Sequence, residues 1–279
     1  MKQLTTLLVL FFSMSLFSQS PWTKKKGEGY LQLSFTTISY DKLFGNPDYN
    51  TERKINDNTL QLFGEIGLSD KTTIFATLPL KMQKTGNLVT PISAPNISIT
   101  SEGSETTIGN IQLGLKQNFY NKNNWVISGQ LGIEANTGNF DIATGLRSGA
   151  DAWTFTPLFL AGKSFRKSYF QSFTRVDIRT YGYSSNFKIG GESGGQIFDS
   201  FWLIGFLDIV KSFENGDFLA QESAITGTYV NDQEYGAFGA KVIYEFSDKF
   251  GLNAGFGGAF FGNNVAKAPA LSFGLYTKF

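Results

Sequence analysis

Apolar and polar residues alternate along most of this chain, with the period of two that is typical of β-strands. In the stretch GYLQLSF, Leu31, Leu33 and Phe35 lie on one face. Gln32 and Ser34 lie on the opposite face. The same alternation recurs in QLGLKQNF, in WVISGQLGIE and in AFGAKVIYEF. No helical period of useful length competes with it, so the pattern predicts an all-β chain.

We predict about twelve strands, each close to the ~9–11 residues of a tilted strand in a membrane. The sixth and the eighth are the least regular, because apolar residues occupy both of their faces. The predicted strands lie near residues 29–40, 58–68, 72–82, 107–120, 124–136, 152–163, 168–182, 199–211, 218–229, 235–246, 250–261 and 269–279.

Short turns and longer linkers alternate between these strands. LSDKT, NKNN, SFRKS, ENGD and FSDKF are short, polar and typical of tight turns. The linkers at 41–57, 83–105, 137–151 and 183–197 are longer, and the last overlaps the glycine-rich GESGGQIF, which we interpret as a flexible outside loop. Outer-membrane barrels have this asymmetry, with short periplasmic turns and longer outside loops. An even number of strands then places both chain ends on the periplasmic side.

The first residues have the layout of a secretory signal peptide. Lys2 precedes an apolar run, and small residues follow around Ser18. We predict a signal peptide at residues 1–18 and one barrel domain at residues 19–279. Past residue 18, no segment approaches the ~20 apolar residues of a membrane-spanning helix. A chain of this kind can span a membrane only as a closed barrel, which satisfies every backbone hydrogen bond in lipid.

Composition narrows the possible functions. The chain has 28 Phe and 11 Tyr but no His and no Cys, and its net charge is +1. A nearly neutral chain provides no basic patch for a nucleic-acid partner. Without His, a Ser–His–acid hydrolase cannot be built, and zinc or haem sites that use His or Cys are excluded. We therefore expect no enzymatic activity, no cofactor and no metal site.

The chain ends on an alternating strand, ALSFGLYTKF, whose last residue is aromatic. Phe273, Leu275 and Phe279 lie on its apolar face. This ending resembles the C-terminal signal by which the barrel assembly machinery recognises bacterial outer-membrane barrels. The alternative is a soluble β-sandwich or lipocalin-like barrel, in which the apolar face points inwards. Chain length, the predicted signal peptide, the turn asymmetry and aromatic residues near strand ends favour the outer membrane.

Charged residues on the polar faces of the strands are candidates for lining the lumen. The richest cluster is RVDIR, in which three charges share one face. Two interpretations compete: the charges line an aqueous path and select solutes, or they pair across the lumen and fill it. The candidates are Glu65, Lys81, Lys116, Glu134, Arg175, Asp177, Arg179, Asp208, Glu222, Lys241, Glu245 and Lys278.

One hairpin resembles a known family. The segment EIGLSDKTTIFATLPL is similar to a hairpin of the outer-membrane barrel family described as "Putative MetA-pathway of phenol degradation", and the glycine-rich segment before Pro157 is similar to a loop of that family. The matching hairpin residues are Gly67, Leu68, Ser69, Asp70, Lys71, Leu78 and Pro79. The resemblance implies a channel for hydrophobic compounds, related to fatty-acid transporters. The chain differs from those transporters in having fewer strands and, between Ser18 and Gly29, no room for an N-terminal plug.

The sequence therefore predicts an outer-membrane barrel that contacts outer-membrane lipids and the assembly machinery. The resemblance implies passive transport of small, hydrophobic or aromatic molecules of unknown identity. The alternative is a non-conducting structural or surface-interaction barrel with a charge-paired, filled lumen. A narrow porin for charged sugars is a third option, although six acidic and six basic candidates do not give the lumen of one sign that such pores show.

Overall fold

The computed structural model describes residues 20–86, 102–217 and 226–279 of the 279-residue chain. Within these three ranges, the regular structure consists of β-strands. No helix in them is long and apolar enough to cross a membrane. The signal peptide predicted at residues 1–18 lies outside the described residues, so it stays a prediction.

The strands vary widely in length, because several rise beyond the others at one end of the barrel. They are β1 (Gly29–Phe44), β2 (Tyr49–Ser69), β3 (Thr72–Thr85), β4 (Gly103–Ile108), β5 (Gln112–Lys122), β6 (Trp125–Glu134), β7 (Phe140–Asp141), β8 (Leu146–Arg147), β9 (Thr154–Ser164), β10 (Ser168–Arg179), β11 (Asn186–Phe198), β12 (Phe201–Ser212), β13 (Glu234–Glu245), β14 (Phe250–Asn263), β15 (Val265–Ala266) and β16 (Ala270–Lys278).

Antiparallel pairing closes these strands into one barrel with twelve strand positions around its wall. Leu33 of β1 pairs with Leu62 of β2 on one edge and with Leu275 of β16 on the other. β4 and β5 together occupy one strand position, because β3 pairs with β5 as far as Thr77 and with β4 from Leu80 onwards. Closure leaves no long strand edge unpaired. The predicted all-β, antiparallel up-and-down barrel of about twelve strands is confirmed.

The outer surface of the barrel is apolar and its interior is polar. On β1, Leu31 and Leu33 are 41% and 47% exposed, whereas Gln32 and Ser34 between them are 4% and 2% exposed. A soluble barrel has the reverse arrangement. Strand alternation alone did not distinguish a membrane barrel from a soluble one. The orientation of these side chains decides it in favour of a barrel whose outer face contacts lipid.

The two ends of the barrel differ in the length of their connections. Residues 70–71, 123–124, 165–167, 199–200 and 246–249 form short turns at one end, where β1 begins and β16 ends. Longer connections occur at the other end: loop A (residues 135–153, with the β7–β8 hairpin), loop B (described at residues 213–217 and 226–233) and loop C (residues 180–185). By the rule for outer-membrane barrels, the short turns face the periplasm. We call the two ends the periplasmic end and the outer end.

The structure differs from the sequence prediction in several places. The linker predicted at 41–57 is mostly strand, since β1 runs to Phe44 and β2 begins at Tyr49. One strand was also missed. The glycines of GESGGQIF indicate a loop, but this segment belongs to β11, where Gly190 pairs with Phe173 of β10 and Asp208 of β12. A Cβ atom on Gly190 would lie 2.0 Å from Asp208 Oδ1 and 2.8 Å from the Phe173 ring. Glycine is therefore required here because large neighbouring side chains cover the strand, and the alternating pattern is lost.

A further difference concerns the strand predicted near 218–229. This strand does not form in its described part, since residues 226–229 are a turn, and residues 218–225 lie outside the described residues. ENGD, predicted as a tight periplasmic turn, follows β12 at the outer end and belongs to loop B. One strand missed and one strand added leave the predicted number correct.

Candidate functional site

Three charges of the RVDIR segment meet inside the barrel. The Asp177 carboxylate lies 2.6 Å from Arg175 Nη2 and 3.7 Å from Arg179 Nη2. Thr156 Oγ1 on the neighbouring strand donates a hydrogen bond of 2.9 Å to Asp177, and Arg179 Nη1 donates one of 2.8 Å to Ser184 O in loop C. These contacts hold the guanidinium groups of Arg175 and Arg179 beside the Asp177 carboxylate on the inner wall.

A second network of ion pairs links β2, β3 and β5. Glu65 lies 3.3 Å from Lys116 and 3.1 Å from Lys24. The Lys116 side chain is 0% exposed, so its charge depends on Glu65. Nearer the outer end, Lys81 lies 2.6 Å from Asp57. Each lysine of this network is thus matched to a carboxylate, as buried charges require.

The other predicted lumen residues among the described ones also have polar partners, while Glu222 lies outside the described residues. Their contacts are Asp208 with Lys188 (3.1 Å), Lys241 with Glu192 (2.6 Å), Glu245 with Lys278 (2.7 Å) and Glu134 with Asn110 Nδ2 (3.1 Å). The structure therefore brings the predicted charges together in local pairs along the wall, and it does not collect them in one cluster.

Sequence reasoning missed four partners of these charges. Lys188 and Glu192 lie in β11, where the glycines hid the strand. Asp57 lies one residue before the predicted start of its strand, and Lys24 precedes the first strand. The alternation of Phe187, Lys188 and Ile189 is the signal that could have located β11, because outward apolar and inward charged positions still alternate there.

The N-terminal segment before β1 enters the lumen at the periplasmic end. Ser128 Oγ donates a hydrogen bond of 2.6 Å to Pro21 O, and Lys24 N donates one of 2.9 Å to Thr73 Oγ1. Trp22 packs edge-on against Tyr169, with ring centroids 5.8 Å apart. The expectation concerned a folded plug, whereas residues 20–28 contact the inner wall as an extended segment. A few extended residues suffice to narrow the lumen, because a strand-like segment needs far less space than a folded plug.

A chamber of about 630 Å³ lies beside this segment. Three lysines and two glutamates of the ion pairs described above lie on its wall, namely Lys24, Lys241, Lys278, Glu65 and Glu192. Aromatic rings cover much of the remaining surface, from Trp22, Tyr30, Phe63, Phe165, Tyr169 and Trp202. The chamber thus combines flat apolar surfaces with hydrogen-bonding groups.

Loop A and the described part of loop B meet at the outer end. Tyr40 of β1 donates a hydrogen bond of 2.7 Å to Thr226 O of loop B, and Thr226 Oγ1 donates one of 2.8 Å to Gly145 O of loop A. Arg53 of β2 donates one of 2.6 Å to Thr144 O of loop A. The two loops therefore bind each other and the inner wall across the mouth of the barrel.

Asn231 joins loop B to loop C. Its Oδ1 accepts a hydrogen bond of 2.7 Å from Ser184 N. Its Nδ2 donates to Gly182 O at 3.0 Å and to Asp217 O at 2.8 Å. The Asn231 side chain is 0% exposed, and both its amide oxygen and its amide nitrogen have hydrogen-bond partners. It therefore fixes the described part of loop B to loop C.

The predicted assembly residues lie on the outer surface at the periplasmic end. Phe273, Leu275 and Phe279 are 55%, 61% and 60% exposed. Phe279 and Gly29 exchange backbone hydrogen bonds of 2.7 Å and 3.1 Å, which complete the seam between β1 and β16. In the described ranges, no group of three or more acidic residues could hold a metal ion.

A closed twelve-stranded barrel with a lipid-facing apolar surface is a bacterial outer-membrane barrel. The chain belongs to the family described as "Putative MetA-pathway of phenol degradation", whose model matches residues 46–275. The resemblance noted from the hairpin is thereby confirmed. No curated protein matches the sequence.

Several solved outer-membrane structures share the fold. The COG4313 outer membrane channel from Pseudomonas putida F1 superposes with a TM-score of 0.73 at 16% identity, covering 95% of this chain and 100% of that one. The KdgM porin gives a TM-score of 0.52 at 6% identity, with coverages of 89% and 99%. The translocator domain of the autotransporter NalP from Neisseria meningitidis gives 0.51 at 10% identity, with coverages of 91% and 88%.

Proposed function

We propose that this protein is a passive transporter of small hydrophobic or aromatic molecules across the outer membrane. The observation that carries this proposal is the chamber of about 630 Å³ at the periplasmic end, with its six aromatic rings. Aromatic side chains favour offset-stacked or edge-to-face contact with other rings. Glutamates on the chamber wall can accept hydrogen bonds from a polar substituent such as a phenolic hydroxyl.

The paired charges support a solute without net charge. Lys241 and Lys278 on the chamber wall are matched by Glu192 and Glu245. Matched pairs leave little excess charge of either sign to select ions. An uncharged solute would therefore pass through the chamber without displacing any of these partners.

Transport requires movement of the segments that close the lumen, whereas the wall can stay intact. Loops A and B close the outer mouth through hydrogen bonds. The N-terminal segment is held by hydrogen bonds and by the Lys24–Glu65 ion pair. These contacts can break one at a time, whereas separating two strands would break a whole ladder of hydrogen bonds at once.

A non-conducting structural or surface-interaction barrel is the second candidate. The matched interior ion pairs and the contacts among the described outer loops favour it, since both fill part of the lumen. Under either function we propose that the protein is not an enzyme, and that it reaches the membrane through the barrel assembly machinery.

Uptake of radiolabelled phenol by cells that lack the protein tests the choice between these functions. We expect expression of the wild-type protein to increase the initial uptake rate severalfold. The double variant Tyr169→Ala with Trp202→Ala should lose most of that increase, because two rings of the chamber are removed. Phe198→Ala, which removes a ring that is 71% exposed on the outer surface, is the matched control and should retain it. Equal uptake with and without the protein would favour the structural role.

A further inference from the structure

The amide group of Gln32 has a nitrogen atom without a hydrogen-bond partner. Gln32 lies in β1, is 4% exposed and lines the chamber. Its Oε1 accepts a hydrogen bond from the Tyr30 hydroxyl, whereas its Nε2 is buried without a partner. A buried N–H group that makes no hydrogen bond costs free energy. This donor is therefore available to a group that the chain itself does not supply.

Carboxylates near the chamber, in contrast, already accept hydrogen bonds from the protein. Glu192 accepts one of 2.6 Å from the Tyr169 hydroxyl and one of 2.6 Å from Lys241 Nζ. Glu245 accepts one of 3.3 Å from Trp202 Nε1. A solute that enters the chamber therefore meets acceptors that already have donors and, at Gln32, a donor that has no acceptor.

A glycine leaves space beside this donor. Gly274 of β16 lies between β1 and β14, where it pairs with Ser34 and Asn253. A Cβ atom on Gly274 would lie 2.9 Å from Gln32 Nε2 and 2.8 Å from Asn253 Oδ1. The two amide side chains thus approach one point beside Gly274 from the two neighbouring strands, and both line the chamber. We call Gln32, Asn253 and Gly274 the amide niche.

Aromatic rings lie on the opposite side of the chamber. In the strand order of the closed barrel, β10, which carries Tyr169, is across the lumen from β1. The Tyr169 ring contacts the rings of Trp22 and Trp202, with centroids 5.8 Å and 6.1 Å apart. The chamber therefore presents flat apolar surfaces on one side and the amide niche on the other.

We propose that the amide niche binds the carbonyl oxygen of an uncharged aromatic solute. Gln32 Nε2 donates a hydrogen bond to this oxygen, while the ring of the solute packs against the aromatic side chains. An aromatic hydrocarbon without an acceptor gains only the ring contacts, so the niche favours aromatic ketones, aldehydes and esters. This inference rests on the proposed transport function and narrows the class of its solutes.

Acetophenone is the probe that tests this site, titrated calorimetrically into the purified full-length protein in detergent. We expect saturable binding to the wild type and about fivefold weaker binding to Gln32→Met, because one hydrogen bond between uncharged groups is lost. Methionine has a similar length and no N–H donor. Gly274→Ala should also weaken binding, since its methyl group would occupy the space beside Gln32 Nε2. This variant covers the case in which Gln32→Met fails to fold.

Gln61→Met is the matched control. Gln61 of β2 is 7% exposed, and its Nε2 is also buried without a partner, but it does not line the chamber. We expect this variant to bind acetophenone as the wild type does. A loss as large as that of Gln32→Met would show that removing any amide from the lumen lowers the affinity, and it would overturn the proposal.

α-Methylstyrene separates the hydrogen bond from shape, because it has a methylene group in place of the carbonyl oxygen. Its affinity for the wild type and for Gln32→Met should be equal, and its partition into detergent is the same for both proteins. The proposal fails if acetophenone does not bind the wild type saturably, if it binds Gln32→Met equally well, or if Gln32→Met weakens both ligands equally. Binding is measured without a membrane, so its failure is distinguishable from a failure of phenol uptake.

Discussion

At the scale of single residues, the buried charge of Lys116 depends on one carboxylate. Its side chain is 0% exposed and lies 3.3 Å from Glu65. Glu65→Gln would leave Lys116 buried without a counter-ion, and we expect this to cost about 3–5 kcal/mol of unfolding free energy. Urea unfolding of the detergent-solubilised protein measures it.

An exposed ion pair supplies the control for that prediction. Lys211 and Glu214 lie 3.3 Å apart, with side chains 60% and 69% exposed. Glu214→Gln should change the unfolding free energy far less than Glu65→Gln does, because exposed pairs contribute little. A similar loss in both variants would show that burial does not determine the strength of the Lys116 pair.

Phe279 and Lys278 are adjacent residues with opposite orientations. Phe279 is 60% exposed on the lipid-facing surface, whereas Lys278 binds Glu245 on the inner side at 2.7 Å. We expect Phe279→Asp to reduce the amount of inserted protein severalfold, and Lys278→Gln to leave it nearly unchanged. Quantifying both variants in isolated outer membranes measures this. Equal amounts would contradict the assignment of Phe279 to the assembly signal.

At the scale of the strand, β11 depends on a glycine that faces the lumen. A Cβ atom on Gly190 would overlap Asp208, which pairs with Lys188. We expect Gly190→Val to reduce the fraction of folded barrel, read as the loss of the faster-migrating band in unboiled samples on SDS gels. For Gly195→Val, whose nearest neighbour would be 4.0 Å away, we expect the wild-type band pattern. Identical patterns for both variants would disprove the packing requirement.

The same strand shows what the sequence could predict and what it could not. Alternation located strands such as β5 and β6 because their outward positions are apolar, as at Leu115 and Leu131. In β11, glycines replace inward side chains because residues of β10 and β12 occupy that space, which is a tertiary effect. Ion-pair partners were missed for the same reason. The alternation along a strand predicts which face a charge occupies, but only the register between neighbouring strands brings Lys188 to Asp208.

At the scale of the whole molecule, the strand wall encloses a lumen that separate segments narrow at its two ends. The outer closure depends on loops A, B and C, and the periplasmic one on the N-terminal segment. The sequence indicated the wall, since its strands repeat a local pattern. It did not indicate the closures, because loops A and B and residues 20–28 have no periodic pattern that specifies their contacts across the lumen.

The contacts of the N-terminal segment can be loosened while the backbone pairing of the strands stays intact. Lys24→Ala with Ser128→Ala removes the ion pair to Glu65 and the hydrogen bond to Pro21 O. Lys25→Ala is the matched control, because the Lys25 side chain is 77% exposed. We expect the double variant to increase the open time or the size of the conducting state, and the control to behave like the wild type.

Single-channel conductance in a planar bilayer tests the central claim, that the lumen is a passage closed by movable segments. We predict discrete conductance steps for the wild type, larger or longer openings for Lys24→Ala with Ser128→Ala, and altered conductance for Arg175→Ala with Arg179→Ala, since these guanidinium groups lie inside the barrel. Silent bilayers for all three proteins, each shown to be folded by its gel mobility, would contradict the claim.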